Sequence, residues 1–109
     1  MQNSGVDYSS EETFEVLSIL DGTIINVEED NLLGKIVEIR HNNNFISVYQ
    51  SLSEVVVKKG DVVKQGQILG KSGFSNIAKE LKNHLHFEIL FKGRVVDPET
   101  FYQKSIKEL

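Results

Sequence analysis

The 109-residue chain contains no cysteine. That absence excludes disulfides, thiolate metal ligands and cysteine nucleophiles together. It leaves the compartment open, since cysteine-free domains work on both sides of a membrane. Long hydrophobic runs are also missing. The longest, such as Val55-Val56-Val57, are far too short to span a bilayer. No signal peptide is visible. Positive charge is absent from the early part of the chain. Between Asp7 and Asp30 there are eight acidic residues and neither lysine nor arginine, and the basic residues begin at Lys35. The net charge of −4 argues against nucleic acid as a partner. The acidic stretch is either a solvated surface or a patch that steers a basic partner.

What is present suits one compact domain, with 39% hydrophobic and 26% charged residues. Turn signals recur at short intervals, among them Asp21-Gly22, Leu33-Gly34, Asn42-Asn43-Asn44, Lys59-Gly60-Asp61, Gln65-Gly66 and Lys92-Gly93. Between them lie FEVLSI (14–19), TIINVE (23–28), KIVEIR (35–40), FISVYQ (45–50), QILGK (67–71), HLHFEILF (84–91) and RVV (94–96), several with the period-2 alternation of half-buried strands. The pattern predicts an all-β antiparallel sandwich or barrel. Helix is confined to short turns, one over 75–83 with Ser75 as N-cap and one over 97–109, where Asp97 precedes Pro98 and a short C-terminal helix is expected.

The chemistry-bearing motif is NHLHFE (83–88). On a strand, His84 and His86 project from one face, with Leu85, Phe87 and Ile89 on the other. Two histidines at this spacing are either polar residues on the wetter face or a pair aimed at one metal. A hydrolytic zinc site needs three protein ligands, an open position for water and a base near that water. The third histidine, His41 in RHNNN, reads as a turn residue.

The run from Gly34 to Phe101 resembles the LytM/lysostaphin-type family of zinc endopeptidases, which cut peptide cross-bridges in bacterial cell walls. It follows the family order G-x-x-V-x-I-x-H, Y-x-H-L, V-x-x-G-x-x-V-x-x-G-Q-x-I-G, G-x-S, H-L-H-F-E and G-x-x-x-x-P. Asp21-Gly22-Thr23 fits a family turn, and NSGVD (3–7) falls at the family's H-x-G-x-D. The resemblance implies a LytM-type antiparallel β-sandwich. It also implies that zinc ligands would stand at Asn3, Asp7 and His86, and water-assisting histidines at His84 and Ser51. Asp7, His84 and His86 match the motif. Asn3 offers an amide oxygen where imidazole is expected, a poor zinc donor. Ser51 has neither the proton exchange nor the reach of a histidine. A Ser51–His84 dyad lacks an orienting group and an oxyanion hole. The expectation is a degenerate domain with no metal or other cofactor, in which Ser51 and His84 are vestigial catalytic positions.

VYQSLSEV (48–55), with serine at the histidine position, is similar to a branch of the family in endospore-forming bacteria. That likeness implies a non-catalytic docking module, spanning 1–109 as a single domain and cut from a longer membrane-anchored protein. It implies a place outside the cytoplasm, on the forespore membrane facing the intermembrane space. Its expected partner is the extracellular domain of a stage III sporulation protein from the mother cell, with peptidoglycan as a second candidate ligand. Val55, Val56, Val57, Lys58 and Lys59 are the expected partner-binding edge, an apolar β-branched run closed by charged guards; the same residues also read as core with solvated lysines. The alternative function is an active zinc endopeptidase acting on wall cross-bridges. A third reading, a lipoyl or biotinyl carrier, has support in VVVKKGDVVKQGQILGK (55–71) but lacks the acceptor-lysine tripeptide.

Overall fold

The structure is a computed structural model and describes residues 5–74 and 83–97. Nine strands run in chain order: β1 (Val6–Ser10), β2 (Glu15–Leu17), β3 (Gly22–Asp30), β4 (Gly34–Asn42), β5 (Phe45–Val55), β6 (Val62–Val63), β7 (Ile68–Ser72), β8 (Asn83–Phe91) and β9 (Arg94–Val96). Every pairing is antiparallel, and the pairings join all nine strands in one sheet of order β1-β8-β5-β4-β3-β6, with β7 pairing both β2 and β5 and β9 pairing β8. The all-β antiparallel architecture expected from the sequence is therefore present. The helical turns expected over 75–83 and 97–109 lie outside the described residues, apart from Asn83, which is in β8, and Asp97.

Alternation builds the core. Val37 and Ile39 of β4 and Leu85, Phe87 and Ile89 of β8 turn inward to meet Val16, Ile24 and Leu69. Each fully buried aliphatic side chain contributes about 1.5–3 kcal/mol. Two bulges keep the pattern in phase where the sequence breaks it. Ile24 and Val27 both pack on the core although they are three residues apart, which a strict period of two forbids; β3 is bulged between Ile24 and Asn26. Tyr49 and Leu52 are likewise both core and three apart. There β5 pairs Tyr49 with Val37 and Leu52 with Lys35, so β5 carries one residue more than β4 across the same span. The extra turn falls at Ser51, whose φ of 71° lies in the left-handed region. Glycine is required where β7 passes under β5: a side chain on Gly70 would run into the Glu54 carbonyl oxygen.

β5 is also the strand that changes partners. Its first part pairs with β8, as far as Gln50 opposite His86; from Leu52 opposite Ser72 it pairs with β7. Ser51 is the residue between, and it is buried. His41, expected in a turn, lies in β4 and is half-buried. The tract that looked like a turn is tighter than RHNNN suggests, because β5 already resumes at Phe45.

Candidate functional site

β1 is the strand that brings the aspartate to the histidine. It is largely polar and exposed, and it pairs with β8 in a register that sets Asp7 opposite His86 and Ser9 opposite His84. Asp7 Oδ1 lies 2.8 Å from His86 Nδ1. Glu88, two residues along the same strand face, lies 2.9 Å from His86 Nε2 through Oε2. Both ring nitrogens thus donate to carboxylates. The hydrogen bond to Glu88 is the largest influence on the imidazole, burial opposes it, and Asp7 adds to it; the net result raises the His86 pKa to about 9.

A further carboxylate stands in the same sheet. Register sets Glu38 across from Val48 and Val48 across from Glu88. Burial, then Glu28, then Glu88 push the Glu38 carboxyl above its ordinary value, against a hydrogen bond from Asn26.

His84 is 1% exposed, and its main chain exchanges two hydrogen bonds with Gly73. Ser51 is at the same corner, because Ser72 pairs with its neighbour Leu52. The Ser51 amide donates to the Leu33 carbonyl at 2.8 Å. Ser51 and His84 are thus in one region and the Asp7–His86 pair beside them. Asn3 lies outside the described residues.

Among the described residues no group of three histidine, aspartate or glutamate side chains converges as a metal site. Asp7 and His86, the two family ligand positions among the described residues, are adjacent, and Glu88 lies on the other nitrogen of the same ring. The remaining family position, Asn3, supplies an amide, which is a weak donor for zinc.

The suggested docking run is mixed in character. Val55 and Val57 are half-buried against the core, whereas Val56 is 59% exposed. The Val56 amide donates to the Leu69 carbonyl at 2.9 Å, so this side of the run is already engaged by β7. Lys58 and Lys59 are exposed, and the Lys58 amide is capped by Asp61 Oδ2 at 2.9 Å.

Two features escaped the sequence reading. Glu88 is in the quoted motif, and its i+2 spacing from His86 is the signal that places it on the same face. The other is a hydrogen-bond chain around His41. Nδ1 lies 2.7 Å from the Asp21 carbonyl, so the ring proton sits there. Nε2 then accepts from the Ser47 hydroxyl at 2.7 Å. The Ser47 and Tyr49 hydroxyls are hydrogen-bonded to each other at 2.9 Å, and Tyr49 accepts from the Ile19 amide at 3.2 Å. Burial lowers the His41 pKa, in keeping with the neutral ring this chain needs.

The sequence profile described as Peptidase family M23 matches residues 1–98. Stage II sporulation protein Q of Bacillus subtilis (strain 168) is 39% identical over 109 residues, covering 98% of this chain but only 38% of its own length. A crystal structure of a SpoIIIAH and SpoIIQ complex contains a chain 42% identical with a TM-score of 0.85, covering 89% of this chain and 69% of that one. The catalytic domain of the antimicrobial peptidase lysostaphin from Staphylococcus simulans is 29% identical with a TM-score of 0.82, covering 93% of this chain and 79% of that one.

Proposed function

This chain belongs to peptidase family M23, and from that membership we propose that it is a docking domain of the stage II sporulation protein Q type, built on a hydrolase framework that no longer performs hydrolysis. One observation carries the reading. Ser51 stands where the family's second water-assisting imidazole would be; it is buried, held at φ 71° in a β-bulge, and offers only a hydroxyl. A second consideration supports it: Asn3 offers an amide at the family's first zinc-ligand position. Without a third strong donor a divalent ion is held weakly, and without the second imidazole the attacking water has lost a proton partner.

On this reading the partner is the extracellular domain of a stage III sporulation protein, as the likeness to the SpoIIIAH–SpoIIQ complex suggests. The domain would then face the space between forespore and mother cell, carried by a membrane anchor elsewhere in the full-length protein. Val55 to Lys59 belong to the docking surface. Two measurements test the proposal. Purified protein is expected to carry far less than one zinc per chain, and the double variant Asn3→His, Ser51→His to gain zinc. The stage III extracellular domain is expected to bind the parent chain. Stoichiometric zinc together with cleavage of wall peptides would overturn the non-catalytic reading, and no binding of the stage III domain would overturn the docking role.

The alternative, a zinc endopeptidase, draws on one observation: Asp7 and His86 remain adjacent at 2.8 Å, the pair of family ligands this chain retains.

A further inference from the structure

β3 is unevenly partnered. On one side it pairs with β4 from Thr23 to Asp30. On the other, β6 reaches only Gly22 and Thr23, and the turn residues Gly60 and Asp61 exchange main-chain hydrogen bonds with Ile24. Past Ile24, the outer edge of β3 from Asn26 to Asp30 has no strand partner among the described residues. The chain from Val55 to Asp61 converges on Ile24 and leaves a wedge open towards the far end of β3. That wedge is a cavity of about 310 Å³ lined by Val27, Glu28, Glu29, Lys35, Val55 and Val57. Its floor is apolar, because Val27, Val55 and Val57 are the half-buried rim of the core.

The charge on its border is unbalanced. Lys35 stands across from Glu29 in register, and Glu28, across from Ile36, makes no ion pair among the described residues. Glu28 also repels Glu38 and helps to push that carboxyl upward. A cationic side chain placed beside Glu28 would relieve both. A free strand edge, an apolar notch and an unmet negative charge together specify what fits.

Resting on the docking reading above, we propose that this wedge receives an extended segment of the partner, which adds to the Asn26–Asp30 edge, seats one aliphatic side chain on Val27, Val55 and Val57, and places a basic residue beside Glu28. The site deepens the expected role of Val55 and Val57: they form the floor of the notch, and β3 supplies the edge.

The test uses isotope-labelled protein and two synthetic hexapeptides, one alternating lysine with valine and one alternating glutamate with valine. Amide shifts over Asn26–Asp30 and Val55–Val57 are expected with the lysine peptide only. The variant Glu28→Lys, Glu29→Lys alters exposed positions and is expected to weaken that peptide about tenfold or more. Equal response to both peptides, shifts confined to other strands, or self-association through this edge in sedimentation would overturn the inference. Binding of the stage III extracellular domain separates the two proposals. If the parent binds it and the charge-reversed variant binds equally well, this inference fails and the docking role stands; if the parent does not bind it, the docking role fails.

Discussion

With Asp7 on one ring nitrogen and Glu88 on the other, His86 keeps its second proton far above the ordinary histidine range, up to about pH 9. The sign of its effect on stability follows. Its folded pKa exceeds the unfolded value near 6.5, so its contribution is complete below about pH 6.5 and lost as pH rises through about 9. Stability measured by urea denaturation should decline across that window. In Glu88→Gln, the His86 midpoint read by NMR should fall, because the largest influence holding it up has lost its charge. His41 works in the opposite sense. Burial lowers its folded value, so its contribution is present above pH 6.5 and is lost as acid protonates the ring, when Nε2 can no longer accept from Ser47. In Tyr49→Phe the Ile19 amide loses its acceptor and the Ser47 hydroxyl keeps only His41 as a side-chain partner. The expected cost is about 1–3 kcal/mol in denaturant unfolding.

Among the elements, β5 carries the most conformational constraint. Its bulge holds Ser51 at φ 71°, a region that a non-glycine residue enters at a cost of order 1–3 kcal/mol. Ser51→Gly should leave stability unchanged or raise it by up to about 1 kcal/mol, whereas the β-branched Ser51→Val should lower it by about 1–3 kcal/mol. Thermal melts of the two variants check both. Gly70→Ala should be worse tolerated than either, since the added carbon meets the Glu54 carbonyl and drives β7 away from β5. The bulges explain what the sequence could and could not show. Period-2 alternation was enough to place His84 and His86 on one face and Leu85, Phe87 and Ile89 in the core. It could not count the extra residue at Ser51, because a bulge is defined only against the neighbouring strand. β1 was not legible either: VDYSS has no apolar alternation, and it becomes a strand because β8 offers it an edge. His41 was misread as a turn residue for a related reason, since its polar neighbours hide two buried partners, Ser47 and Tyr49, that lie further along on β5.

At the scale of the whole molecule, one connected sheet makes unfolding a shared event. With no second sheet among the described residues to melt separately, calorimetric and van't Hoff enthalpies should agree. Charge is unevenly spread along the chain, with eight acidic residues and no basic one from Asp7 to Asp30. If that surface steers a basic partner, the association rate should fall as salt is raised from about 0.01 to 0.15 M, while dissociation changes less. The chain spans 38% of the length of the Bacillus subtilis relative it matches. The position of β1 adds a mechanical consequence. Among the described residues β1 is held along one side, by β8, and Asp7 grips His86 at its second residue. A pull on the backbone ahead of Gly5 would peel this ribbon from its neighbour rung by rung instead of shearing all its rungs at once. The Asp7–His86 contact would bear that tension almost first, as a latch whose grip slackens in alkali.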